Sequence, residues 1–361
     1  MVRTEETHLR DGANCVNHCS TMKGLLNLGN TCYINTAIQC LVTVPDFVRF
    51  ILGLPRRSDD PMIESLIDLV TSIVNESDSE RNPDGNQRVQ AEAISPMRFV
   101  RELRRCMSLR VHDPNDIQEF LALFLDKLNS QMCRKLLPKE FFDAEFHGPL
   151  TTMQKMARVQ WYKSIWDEYS PIKDIFYGLT VGQIRCANCS KLHHNYEVFS
   201  TIMLPAPSER TSLTRSIEMY FAEEPVADGW RCDGCNETSS SSARVVRMCR
   251  LPKTLTICIK RFAEQGPGAR RKNSIAVDAP DILDIDPWSI GVTGLYELRA
   301  MACHSGDHQH GHYWGLMKNV LTPGATARWK KVDDAFVFDL GQTSIETPGE
   351  AYVFTYVLCA R

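Results

Sequence analysis

Cys32 stands in GLLNLGNTCYINTAIQCL, after a turn rich in Gly and Asn and at the head of an apolar run. That context puts it at or near a helix N-terminus, where the macrodipole favours the thiolate, the form of sulfur that attacks carbonyl carbon. A lone cysteine is more often a small buried residue. To act as a nucleophile it needs a base, and the base needs a group to orient it. Four histidines crowd into HSGDHQHGHYWGL: His304, His308, His310 and His312. They could supply the base, bind a metal, or simply form a polar loop. Downstream, WKKVDDAFV carries the adjacent acids Asp333 and Asp334, which on their own read as solvated loop residues. A second kind of sulfur chemistry is written in Cys186-Ala-Asn-Cys189 and Cys232-Asp-Gly-Cys235, two CxxC knuckles beside strand-like sequence. One CxxC could be a redox pair, whereas two suit a closed tetrahedral zinc site of four thiolates. A third pattern, DPNDIQEFLALFLDKL, puts Asp116 and Glu119 at the start of an amphipathic helix. Acids there suit the helix dipole without any further role.

Two textures of chain have to position these residues. From Gly24 to about Gly148 the apolar spacing is mostly helical. Thr36 to Phe50 reads as a helix interrupted at Pro45, and Met62 to Val74 places Ile63, Leu66, Ile67, Val70 and Ile73 at helical spacing. Ser95-Pro96 has the order of a cap residue followed by a first-turn proline, so a helix is predicted over Met97 to Met107. Asp113 to Asn129 is predicted as another, with Phe120, Leu123, Phe124 and Leu128 on one side. Between them NESDSERNPDGNQR reads as an exposed loop, and TSSSSA at 238–243 as a loop tip. After Ile175 short β-type runs take over: LTVGQIR, ARVVRMC, TLTICIKRF, LYELRAMAC, HYWGLM and AYVFTYVL. Helices first and strands second indicate an α+β protein rather than alternating βαβ units. No internal repeat or strong interdomain linker is present, and residues 1–23 read as a loose leader.

Composition narrows the function classes. With 361 residues and 43% hydrophobic content the chain can bury a sizeable core. A formal net charge of -3 supplies no basic field for nucleic acid or acidic membranes, and RRK at 270–272 is too short to make one. The chain has no apolar run of the roughly 20 residues that span a bilayer. Its polar, acid-containing start is unlike a secretory signal. The expectation is therefore a reducing compartment, cytoplasm or nucleus, no membrane, and a monomer. In such a compartment 14 cysteines serve metal binding, one catalytic thiol and core packing rather than disulfides. Cys15, His18 and Cys19 could bind metal but fall in the leader; Cys40, Cys106, Cys133, Cys249, Cys258, Cys303 and Cys359 read as core residues.

The stretch around Cys32 resembles the cysteine box of the ubiquitin-specific proteases. The resemblance continues through the other boxes in family order, from about Gly24 to Tyr356. It implies Cys32 as nucleophile and Asn27 as a side-chain donor to the oxyanion, a role that suits a neutral, fixed amide. Tyr296, Leu298, His304, Gly306 and Gly311-His312-Tyr313 match the histidine box, which implies His312 as general base and leaves His304, His308 and His310 as loop or supporting residues. WKKVDDAFV resembles the family's W-x-K-F-D-D-x-x-V, implying Asp333 as the acid that orients His312, with Asp334 the neighbouring candidate and Val332 in place of an aromatic. DPNDIQEFL resembles the Q-Q-D-A-x-E-F-L box, so Asp116 and Glu119 would face arginines of the ubiquitin tail, with Pro114 and Asn115 replacing two glutamines. Cys186, Cys189, Cys232 and Cys235 match the zinc ribbon, implying one structural zinc ion and no organic cofactor.

What the resemblance implies as a whole is a papain-like α+β scaffold of thumb (about 24–148), fingers (about 176–262) and palm (about 263–361) in one catalytic domain, 24–361. The implied activity is hydrolysis of the isopeptide bond after the C-terminal glycine of ubiquitin, through a thioester, with ubiquitin and ubiquitinated proteins as partners. The alternatives are a weak or inactive ubiquitin-binding module, a protease preferring another ubiquitin-like modifier, and a zinc-ribbon nucleic-acid binder.

Overall fold

The computed structural model describes residues 22–56, 59–74, 93–107, 113, 115–136, 151–226, 230–238, 242–264, 270–307, 310–318 and 327–360. The chain divides into two compact units, Met1–Ile117 with His310–Ile345, and Gln118–Gln309 with Glu346–Arg361. Most of the expected leader, including Cys15, His18 and Cys19, lies outside the described residues, as do the 75–88 loop, Pro114 and His308.

The first unit is built on a helix that is buried on every side. Helix α1 (Cys32–Val42) has all its residues buried, polar ones included, as befits the centre of a core. It ends where the Thr43 N–H turns back to the Cys40 carbonyl and the Val44 N–H to the Leu41 carbonyl, and Pro45, whose fixed φ suits a first turn, starts α2 (Pro45–Leu52). α3 (Pro61–Val74) buries Met62, Ile63, Leu66, Ile67, Val70 and Ile73. It packs on α4 (Met97–Cys106), where Arg98 reaches Glu64 at 3.2 Å and also pairs with Asp68. The same unit holds the antiparallel strands Gly311–Lys318, Trp329–Asp333 and Phe336–Asp339. α1 lies against the first of them.

The second unit carries α5 (Ile117–Met132) from its second residue, the helix Thr152–Ile165 and two sheets. In one sheet Gly178–Arg185 pairs antiparallel with both Leu192–Phe199 and Ala243–Arg250. In the other, Ala351–Ala360 lies antiparallel between Leu295–Gly306 and Thr254–Lys260, and Thr201–Pro205 runs parallel to the last. TLTICI is buried on both faces, which is why it reads as an unbroken apolar run rather than an alternating one. Among the described residues no single helix is long and apolar enough to cross a membrane.

Three expectations need correction. The residue capping α4 is Pro96 and not Ser95, and no side chain caps that end. Leu123 is 42% exposed, because the buried face of α5 turns through Phe120, Leu121, Phe124, Leu125 and Leu128. Cys359 is exposed rather than in the core, its thiol donating to the Leu295 carbonyl. The sequence reading also passed over the helix Thr152–Ile165. Its start is fixed by a reciprocal capping box between Thr151 and Gln154, but its exposed Met156 and Val159 blur the periodicity. The strands Leu192–Phe199 and Phe336–Asp339 were missed because neither has a clean buried face. RRK at 270–272 is a short strand paired with Phe262–Glu264. Its Lys272 ammonium donates to the His304 and Gly306 carbonyls and so belongs to the fold.

Candidate functional site

The approach to Cys32 is a loop wound around one asparagine. Asn27 Oδ1 accepts from the Gly29 N–H at 3.0 Å and from the Thr31 N–H and hydroxyl, each at 3.3 Å. To close that loop Gly29 and Asn30 both take left-handed backbone, φ 94° and 53°, conformations that glycine and asparagine tolerate best. The loop delivers Cys32 as the first residue of α1, 8% exposed and not in a disulfide. Immediately upstream, Leu25 N–H donates to the Asp334 carbonyl at 2.8 Å. A Cβ on Gly24 would lie 2.2 Å from the Ala335 carbonyl oxygen, so only glycine allows the backbones to meet. This seam ties the cysteine loop to the hairpin that carries the two acids.

That hairpin joins Trp329–Asp333 to Phe336–Asp339, with Asp333 opposite Phe336 and a two-residue turn of Asp334 and Ala335. Asp334 has φ 48°, which aspartate accepts in such turns. His312 sits one residue into Gly311–Lys318. Its Nε2 is 2.7 Å from Asp333 Oδ1 and 4.0 Å from Asp334 Oδ2, so the ring hydrogen-bonds Asp333 and not Asp334. The other Asp333 oxygen takes the Lys331 ammonium at 3.2 Å. Burial works to raise the Asp333 carboxyl, but His312 and Lys331 outweigh it and hold it below the usual range. With Nε2 committed, Nδ1 is left for Cys32, whose hydrogen bond is the largest cause raising the imidazole to about 9, helped by Asp333 and opposed by burial. A sulfur, an imidazole and a carboxylate in this order can hold a thiolate–imidazolium pair.

Asp334 does something different. Its Oδ2 accepts from the Asn27 amide and its Oδ1 from the Asn35 amide, both at 2.8 Å. Asn27 is thereby held at both ends, through Oδ1 and through one of its two amide hydrogens. His312, Asp333 and Asp334 place their ligand atoms within 4.8 Å of one another. Their hydrogen bonds to one another and to the asparagines already occupy the oxygens a cation would need. Sequence reasoning had not singled out Asn35 or Lys331. The available signals were helical spacing from Cys32 for the first and same-face strand spacing from Asp333 for the second. Next to Cys32, the Tyr33 hydroxyl accepts from the Asn115 amide at 3.1 Å, and burial above all pushes that phenol up to about 12. Asp116 lies half-buried just before α5 and Glu119 is exposed in its first turn. His304 is buried in Leu295–Gly306 with its ring against Phe262, and His310 is exposed.

The second sulfur site is built from one turn used twice. Arg185 pairs with Leu192 around the first knuckle, and Arg231 with Thr238 around the second. In each, the N–H four residues after the first cysteine returns to that cysteine's carbonyl, Ser190 to Cys186 at 2.9 Å and Asn236 to Cys232 at 2.8 Å. Ser190 and Asn236 both take positive φ, 60° and 59°. The four sulfurs lie within 4.8 Å of one another, with Cys186–Cys235 at 3.9 Å and Cys189–Cys232 at 3.6 Å. A tetrahedral ion with metal–sulfur bonds of about 2.3 Å requires edges of about 3.8 Å. Burial tends to raise the Cys232 thiol, but the Cys235 and Gly234 N–H groups prevail and bring it down to about 6. The group can hold a metal ion such as zinc.

Comparison with known proteins agrees with this geometry. The family described as ubiquitin carboxyl-terminal hydrolase matches residues 23–356. Bovine (Bos taurus) ubiquitin carboxyl-terminal hydrolase 21 is 26% identical over 359 residues, covering 93% of this chain and 61% of that protein. Saccharomyces cerevisiae ubiquitin carboxyl-terminal hydrolase 4 is 26% identical over 375 residues, covering 92% of this chain and 39% of its own length. The chain thus spans about three fifths or less of these curated relatives. In fold it is similar to a chain of the SAGA Ubp8/Sgf11/Sus1/Sgf73 DUB module bound to ubiquitin aldehyde, with a TM-score of 0.69 at 18% identity over 94% of this chain and 70% of that one. The match runs from the segment before Cys32 past Asp333 without leaving out either sulfur site, and the chain belongs to the ubiquitin carboxyl-terminal hydrolase family.

Proposed function

We propose that this chain is a thiol-dependent deubiquitinase that cleaves the isopeptide bond after the C-terminal glycine of ubiquitin. The observation that carries the reading is a single imidazole, His312, shared between the Cys32 sulfur and the Asp333 carboxylate. The Cys32 thiolate attacks the glycine carbonyl carbon, and the carbonyl oxygen takes the negative charge. The Asn27 amide and the N-terminal N–H groups of α1 stabilise that oxyanion. As the tetrahedral adduct collapses, His312 passes its proton to the lysine amine, which leaves with the bond electrons. Water, giving a proton back to His312, then attacks the thioester and frees the ubiquitin carboxylate and the Cys32 sulfur. Asp333 keeps the ring in place throughout. Asp116 and Glu119 are proposed to receive the arginines of the ubiquitin tail, since paired acids suit guanidinium groups.

The four-cysteine centre is proposed to hold one structural zinc ion, supported by sulfur spacings close to a tetrahedron's edges. It supplies folding energy there and no chemistry. Every cysteine among the described residues is free, which supports a reducing location, cytoplasm or nucleus. A net charge of -3 supports protein conjugates over nucleic acid as partners. The test is reaction with ubiquitin bearing a C-terminal electrophile, followed by peptide mapping. The reading requires one adduct on Cys32. Binding without an adduct would instead make the chain a ubiquitin-holding module.

A further inference from the structure

The carboxylate that orients His312 is held from its other side. An aspartate side chain ends in a torsion with a broad range, so a carboxylate bonded through one oxygen can still turn. Asp333 Oδ1 accepts from His312 Nε2 at 2.7 Å, and Oδ2 takes the Lys331 ammonium at 3.2 Å. With a donor on each oxygen the plane of the carboxylate is defined, and so is the direction from which it meets the imidazole.

Lys331 is itself kept in place. It lies two residues before Asp333 on the strand Trp329–Asp333, so both side chains leave the same face. In the sheet it stands opposite Leu316 on one neighbouring strand and Phe338 on the other. Its ammonium lies 4.7 Å from the centroid of the Trp314 ring, a cation–π distance. Trp314 follows His312 by two residues on Gly311–Lys318, and therefore shares a face with the imidazole. Lys330, one residue earlier, belongs to the opposite face, so register and not lysine content sets this pairing. His312, Trp314, Lys331 and Asp333 all belong to the first compact unit, as Cys32 does. The side chains of Lys331 and Asp333 are 37% and 29% exposed, and an ion pair that open to water adds little to stability. Holding a carboxylate still does not depend on such a gain. A small misplacement of a reacting group costs rate even where the fold is unaffected.

We infer that Lys331 is a positioning residue for the proposed hydrolysis: steadied by Trp314, it fixes the Asp333 carboxylate so that His312 stays aligned with Cys32. The inference rests on the proposed deubiquitinase reading, and in this role Lys331 acts through Asp333 and not on the substrate. It is tested by steady-state kinetics of the full chain on a ubiquitin C-terminal fluorogenic amide. Lys331→Met should lower kcat about fivefold or more and leave KM within about twofold. Lys331→Leu, equally without charge or donor, should do the same, which keeps the test decisive if the methionine variant is unstable. Lys331→Arg, which keeps both charge and donors, should return kcat to within about twofold of wild type. In an Asp333→Ala background Lys331→Met should lower the residual rate about twofold at most, because no carboxylate is left to hold. A Lys331→Met enzyme with the kcat of wild type would overturn the inference. So would an equal loss in the Asp333→Ala background, the mark of a merely structural role, or a raised KM with kcat unchanged, the mark of a substrate contact. Wild type inactive on the ubiquitin amide would remove the deubiquitinase reading and the inference with it, a failure visible before any variant is compared.

Discussion

Cys32 and Cys232 are both buried sulfurs at the start of a turn of chain, yet their neighbours make them different reagents. Cys32 faces one nitrogen base, His312, which lies 280 positions away in the sequence and is oriented by Asp333. Cys232 faces three other sulfurs, one of them three residues along its own turn, as well as the His193 imidazole at 3.2 Å. A sulfur beside an imidazole that can take and return a proton can be spent in a reaction and regenerated. A sulfur enclosed by other sulfurs and by N–H donors is suited to staying put around an ion. The difference teaches that sulfur type and even burial say little, and that the second partner decides the chemistry.

The largest effect expected is at Cys32. Cys32→Ala should reduce ubiquitin hydrolysis below about a hundredth of wild type while leaving metal content and ubiquitin binding intact. A faster variant would mean that another sulfur is the nucleophile. The mirror experiment is Cys232→Ser, which should lose the metal and lower the melting temperature by at least about 5 °C. Unchanged metal and stability there would erase the distinction between the two sites.

A smaller effect concerns pH. With His312 raised to about 9, the imidazolium that protonates the leaving amine persists through neutrality, and activity should fall as pH rises through about 9. The same sign holds for stability. A raised pKa stabilises the fold fully below the free imidazole value, 6.5, and that contribution fades as pH passes about 9. Asp333→Asn removes one of the causes of the raised value, so the alkaline limb should move to lower pH and the rate should drop about tenfold or more. A limb that moved further with Asp334→Asn than with Asp333→Asn would reverse the roles assigned to the two acids. Asp334→Asn should instead slow turnover about tenfold with little movement of the limb, since it frees Asn27 from its anchor.

The smallest effect sharpens the comparison beyond the thiols. In the proposed reaction the catalytic groups meet only a glycine tail of the kind that ubiquitin shares with the interferon-induced ubiquitin-like modifier, so on that reading they would not separate the two. Ubiquitin substrate should nonetheless be favoured at least about tenfold in kcat/KM, about 1.4 kcal/mol. Asp116→Arg should weaken both modifiers alike. Parallel kinetics on the two would expose a reversed preference, or a loss confined to one of them.

The amino-acid sequence by itself determined the parts whose geometry is local. Each CxxC turn carries its own closing N–H and its own left-handed residue within six positions, so spacing alone made each knuckle legible as half of a four-sulfur group. Cys32 at a helix start was legible for the same reason, since Gly29, Asn30 and the apolar run beyond it are adjacent in the chain. The assignments at His312 and the two acids came from family likeness, because nothing in their spacing brings them near Cys32. Only the tertiary structure placed Nε2 on Asp333 and gave Asp334 to Asn27 and Asn35, through the contact that Gly24 permits against Ala335. It alone also turned His193 toward Cys232, and hid Leu121 and Leu125 while exposing Leu123. The neighbouring acids, and leucines two positions apart on one helix, are equivalent in composition. Which of them meets a partner depends on surfaces contributed by distant segments, and those exist only once the chain has folded.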